Sequence, residues 1–277
     1  MTPHRALPPA DRSARLALGA LVALAASLGL ALAAALRVEP LPLPTSVRLE
    51  GTLATAVGCP EGGPCPALQM TPRALAPGWL EGLSASQRRF LAPLAMPVFT
   101  LAMDLPAGRH AYRARASGPD GEWISGAGGW LDGAPLLLEL AVPRRVTFLY
   151  SPVTRWVTDD VTRPTTVATG TFQRALGCAQ DWDPGCLQGW LQDPDGDGLH
   201  TFSTRLVPVG HHEVLAGPAL PGAPPPERTA FRVLRAAEEV RFVWSPRWDK
   251  VVVEFPERPP GAEAEAAARE LTEEPGP

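Results

Sequence analysis

The chain has 277 residues and a net charge of −4, with seven acids against two arginines in residues 254–277, so it has no basic face and no nucleic-acid partner is expected. Thirty-three prolines and 26 glycines beside only 19 % charged residues argue against a helical bundle and for many short strands joined by tight turns. The length holds two ordinary domains once a tether is set aside.

The tether comes first. Leu16 to Leu36 carries no charge, and a helix of that length at 1.5 Å per residue spans roughly 31 Å, one hydrocarbon core. Arg5, Arg12 and Arg15 precede it and only Arg37 follows closely, so residues 1–15 are placed in the cytoplasm and the bulk of the chain outside, with the lipid bilayer as partner of residues 16–36. A cleaved signal peptide is the competing reading, because Ala33-Ala34-Ala35 offers a small-residue cleavage site, although the apolar run is long for one. Both readings export the remainder. Residues 37–45, with Pro40, Pro42 and Pro44, form an extended stalk.

Beyond the stalk the chain repeats itself. Val47-Arg-Leu-Glu-Gly51-Thr-Leu leads to Gly58-Cys59, and Ala168-Thr-Gly170-Thr-Phe leads to Gly177-Cys178. Phe99-Thr-Leu matches Phe202-Ser-Thr, Gly108-Arg-His matches Gly210-His-His, and Val146-Thr-Phe-Leu-Tyr-Ser-Pro matches Val240-Arg-Phe-Val-Trp-Ser-Pro. Ordered matches of this kind predict two related β-sandwiches at 46–161 and 164–256, followed by an acidic disordered tail at 257–277. Period-two alternation places Val146, Phe148 and Tyr150 on one face, and Val240, Phe242 and Trp244 on the corresponding one. Gly78 to Arg89 has room for a short inserted helix, and Pro218–Pro226 is a proline-rich loop.

The four cysteines fall into two close pairs. In an exported chain Cys59–Cys65 and Cys178–Cys186 are expected as local disulfides, and neither the thiols nor the histidines have the spacing of a zinc site. Asp193, Asp195, Asp197 and Gly198 occupy the first, third, fifth and sixth positions of a calcium loop, but the twelfth is Thr204 and no helix follows. An acidic hairpin turn is the competing reading. No nucleophile elbow, phosphate loop or helix-borne histidine pair is present, so no catalytic residue and no cofactor is assigned. Eight tryptophans are the suggestive excess: Trp156, Trp244 and Trp248 lie in or beside strands and are assigned to core, whereas Trp123, Trp130, Trp182 and Trp190 lie in Gly/Asp-rich stretches and are the candidate ligand contacts.

Gly170-Thr-Phe-Gln through Leu176-Gly-Cys, Asp181-Trp-Asp-Pro-Gly-Cys and Asp195-Gly-Asp-Gly resemble the module that precedes the catalytic region of pullulanases and related amylolytic enzymes. Leu105-Pro-Ala-Gly-Arg-His-Ala-Tyr and Val146-Thr-Phe-Leu-Tyr with Arg155-Trp-Val-Thr-Asp extend the resemblance into the first copy. It implies an immunoglobulin-like, non-catalytic module; together with the repeat and the uncharged run, the expectation is an all-β chain of two tandem immunoglobulin-like β-sandwiches after one transmembrane helix. The family's Trp-Asp-Glu-Asn-Tyr-Gly stretch is reduced here to Trp123-Ile-Ser-Gly. Two functions follow: a membrane-anchored extracytoplasmic binding protein for an α-glucan or another envelope polysaccharide, or a structural or protein-interaction module of the envelope.

Overall fold

The structure, a computed structural model, describes residues 43–60, 65–78, 97–129, 133–217, 227–248 and 250–259. The anchor at 16–36, the N-terminal residues 1–15, most of the stalk, the expected insert beyond Gly78, the loop 218–226, the tail beyond residue 259 and Trp130 lie outside the described residues. No helix among the described residues is long and apolar enough to cross a membrane. Pro42–Pro277 is one compact unit and is the one described below.

The unit is all-β, and its strands follow the alternation of the sequence. In β1 (Ser46–Gly51) Val47 and Leu49 turn inward while Arg48 and Glu50 turn outward. After a one-turn helix, α1 (Leu53–Ala56), and a short 3-10 turn (Pro66–Leu68) come β2 (Gln69–Pro72), β3 (Phe99–Leu105), β4 (Gly108–Gly118) and β5 (Gly121–Ser125). These are followed by β6 (Leu136–Leu140), β7 (Arg144–Tyr150) and β8 (Val157–Asp159). Antiparallel pairing puts β5, β6 and β1 around β4, and β3 and β8 around β7. β2 joins the layers, pairing Met70 with Val47 on β1 and Thr71 with Thr100 on β3. Tyr112, Ala114 and Leu138 from one layer bury against Phe99, Val146 and Phe148 from the other, with Tyr112 and Phe148 edge to face at 4.9 Å. The Tyr112 hydroxyl donates to buried Asp159 at 2.6 Å, and burial beside that carboxylate pushes the phenol pKa up.

The second half repeats the plan with shorter strands: β9 (Thr166–Val167), β10 (Thr169–Gly170), β11 (Trp190–Leu191), β12 (His200–Thr204), β13 (Gly210–Leu215), β14 (Thr229–Val233), β15 (Val240–Trp244) and β16 (Val252–Glu254). β13 pairs with β10 and β14 as β4 pairs with β1 and β6, and β15 pairs with β12 and β16 as β7 pairs with β3 and β8. Small details recur with it. Gly51 sits opposite Tyr112 and Gly170 opposite Val214, and a Cβ on either glycine would stand 2.3 or 2.2 Å from a carbonyl oxygen of the partner strand. His110 Nε2 lies 3.0 Å from the Pro106 carbonyl and His212 Nε2 lies 2.8 Å from that of Pro208, each stapling the hairpin ahead of its own strand. One match shifts: Phe202 faces Phe242 across the ladder where Leu101, not Phe99, faces Phe148. A shift of two residues preserves the face, so the pattern read from sequence survives it.

A third apolar cluster joins the halves. Val98, Leu149 and Trp156 pack on Val167, Leu187 and Trp190, with Trp156 and Trp190 stacked at 5.1 Å. Leu75 packs into the second core, and Ala76 N–H donates to the Gly177 carbonyl at 2.7 Å.

Candidate functional site

Both expected disulfides are present, Cys59–Cys65 and Cys178–Cys186, with Cα separations of 5.7 and 5.8 Å. The second closes the loop that carries Trp182. Buried Gln173 laces that loop to the sandwich, accepting from Asp183 N–H at 2.8 Å and donating to the Asp183 carbonyl at 2.9 Å, while Asp181 accepts from Arg174 N–H at 2.9 Å. Between these anchors Trp182 takes the left-handed backbone, φ 60°, a conformation costly for a bulky residue and held by its surroundings. Its ring is half-buried, with the Arg228 guanidinium 4.5 Å from its centroid, and Arg228 pairs with Glu213 at 3.0 Å. A half-buried aromatic ring edged by an arginine and a carboxylate can stack its open part on an apolar ring face and hydrogen-bond its rim.

The other tryptophans part from expectation. Trp190 is only 2 % exposed, because β11 turns it onto Trp156 between the halves, so its ring is not presented on the surface as expected. Trp123 is on strand β5 rather than in a loop. Its indole N–H donates to the Tyr150 hydroxyl at 2.8 Å, its edge rests on Gly118, and Arg155 lies 4.3 Å over its ring. Trp156 and Trp244 are core as expected, but Trp248 is 39 % exposed in the turn after β15.

Asp193, Asp195 and Asp197 do converge, with oxygens within 4.8 Å of one another. The turn itself uses two of them. Asp193 accepts from Gly196 and Gly198 N–H at 2.8 and 3.2 Å, Asp197 accepts from Leu199 N–H at 2.7 Å, and Arg163 donates to the Asp193 carbonyl at 2.6 Å. With Gly196 and Gly198 at φ 75° and 85°, the segment has the geometry of an acidic hairpin turn, the second of the two readings. His200, beside this turn, has its pKa lowered by burial, which the nearby Asp193 partly offsets.

One surface was not singled out from the sequence. The outward side chains of β1 and β4 form a groove of about 610 Å³ lined by Arg48, Glu50, Thr52, Ala111, Arg113, Arg115 and Pro135. Register puts Arg48 directly opposite Arg115 and Glu50 opposite Arg113. Glu50 bridges Arg113 Nε at 2.5 Å and Arg115 Nε at 2.8 Å; burial pulls its pKa upward, but the two guanidiniums prevail and hold it below the ordinary carboxylate value. The signal was available as alternating charges, Arg48-x-Glu50 and Arg113-x-Arg115, on strands whose other face is apolar.

Comparison with known proteins bears on the second half. Residues 165–216, from β9 to the end of β13, match the family model of the pullulanase X25 domain. A solved pullulanase from Bacillus acidopullulyticus aligns at 13 % identity over 76 % of this chain, with a TM-score of 0.28, a likeness too loose to carry an argument. The chain spans 17 % of the length of that enzyme. No curated protein sequence matches the chain. The likeness to a non-catalytic, pullulanase-associated module therefore rests on the segment that contains the Cys178–Cys186 loop, Trp182 and the acidic turn.

Proposed function

We propose that this chain is a non-catalytic, membrane-anchored extracytoplasmic binding protein that carries two tandem immunoglobulin-like β-sandwiches, 46–161 and 164–256, and binds an α-glucan or another envelope polysaccharide. The recurrence of the pairing pattern, the disulfide loops and the histidine staples supports the tandem reading. The uncharged run before the stalk supports the anchor. The observation that carries the glycan reading is Trp182, fixed in left-handed backbone on a laced and bridged loop inside the segment that matches the pullulanase X25 domain. A structural or protein-interaction role in the envelope is the second reading, favoured by the engagement of Trp123 and Trp190 within the fold.

Co-sedimentation of the detergent-solubilised full chain with insoluble starch tests the first reading. Retention is expected, with Trp182→Ala weakening it by about tenfold, the scale of one stacked ring at ~1.5 kcal/mol. Equal behaviour of the two proteins, or no retention on starch or soluble pullulan, leaves the interaction module as the function.

A further inference from the structure

We infer that the groove on β1 and β4 is a second binding site, separate from Trp182, for a polysaccharide that bears carboxylates. The two faces of the first half differ in what covers them. The outer side of the β3–β7–β8 layer, through Leu149 and Trp156, is occupied by the second half. The outer side of the β1–β4 layer carries the groove, with Arg48 exposed.

One pair in it works against folding. Like charges directly opposite on neighbouring strands repel, and Arg48 and Arg115 are such a pair. Arg115 is compensated by Glu50 and Glu122, at 2.8 and 3.3 Å, but Arg48 has no ion-pair or hydrogen-bond partner among the described residues, and the terminal nitrogens of Arg113 have none either. The positions that correspond in the second half are Val167, Thr169, Leu215 and Gly217, none of them charged. The fold does not need arginines there, since the shorter version dispenses with them.

The groove shows which anion it takes. Glu50 already lies between two guanidiniums, each donating from Nε, so the unoccupied nitrogens of Arg113 and the whole of Arg48 present the same fork to a carboxylate from outside. A volume of about 610 Å³ above Ala111 and Pro135 suits several sugar rings rather than one small ion. The site is a sheet face, so an acidic peptide laid in it would find no free backbone edge to join. A polymer that brings its own acceptors needs none.

The test is retention of the detergent-solubilised full chain on immobilised polygalacturonate, with pullulan and poly-L-glutamate as the other matrices. Binding to polygalacturonate at about 20 mM salt is expected and is lost at about 0.5 M, because exposed pairs are screened. Arg48→Gln weakens it about fivefold, Arg48→Lys, which keeps the charge but loses the fork, weakens it by about half as much, and Trp182→Ala leaves it unchanged. An unaltered melting temperature for Arg48→Gln establishes that the loss is in binding. No retention on polygalacturonate, equal retention of Arg48→Gln, or tighter binding to poly-L-glutamate, which assigns the groove to an acidic protein, overturns the inference. Because Trp182→Ala reads the glucan site and Arg48→Gln the groove, either site can fail without the other.

Discussion

Glu238 and Arg258 form the most enclosed ion pair among the described residues, with side-chain exposures of 0 % and 6 %. The guanidinium meets the carboxylate through Nε at 3.1 Å and Nη2 at 2.9 Å, donates to the Arg232 carbonyl and lies 3.5 Å over the Phe255 ring, while Leu234 N–H supplies another bond to Glu238. Burial raises the Glu238 pKa, but Arg258 and the Leu234 N–H outweigh it and the net shift is downward. Stability from the pair is therefore in place above the ordinary carboxylate value and drains away as pH falls through the lowered one. Arg258→Met leaves buried Glu238 with only the longer pair to Arg235 at 3.5 Å and the Leu234 N–H, and its urea midpoint at pH 7 is expected to show a loss of about 3 kcal/mol. That deficit shrinks on titration below pH ~4.5. Nothing in the sequence marks this pair, because residues 20 apart meet only once β14, in one sheet, is packed against β15 and β16, in another.

At the level of elements, strand alternation was legible because one face of each sheet is dry: Val47 and Leu49, Val146 and Phe148, and Val240 and Phe242 are all buried. Cysteine spacing was legible for a related reason, since four cysteines in two pairs 6 and 8 residues apart each have their nearest thiol within the same short loop. Loop closure sets the worth of the Cys178–Cys186 bridge. Replacing both cysteines by serine is expected to lower unfolding free energy by about 2–3 kcal/mol, read from denaturant unfolding of the oxidised protein beside the variant. Reduction of the wild type brings it toward the variant. The departure of Trp123 and Trp190 from the expected loops has a physical reason as well. Gly and Asp around Trp123 and Trp190 signal turns, yet a strand of two residues, β11, is enough to swing an indole into a core that other segments supply.

For the molecule as a whole, the question is whether its halves act as one body. Trp156 and Trp190 stack between them, Arg163 covers Trp156 at 5.6 Å, and the Trp156 indole N–H has no partner among the described residues, so ring packing rather than hydrogen bonding holds this side chain. Trp156→Ala empties the centre of the interface, and a loss of about 3–5 kcal/mol is expected for a buried ring of that size. Calorimetry should show one transition in the wild type and two in the variant, since each half keeps its own core. The sequence by itself determined the β class, the bridges and the face each strand buries, because those follow from period, spacing and composition. Only the tertiary structure decided which tryptophans are exposed, how the halves meet, and that Arg48, Glu50, Arg113 and Arg115 share one groove. Register between strands more than 60 residues apart brings those charges together, and no local pattern encodes it.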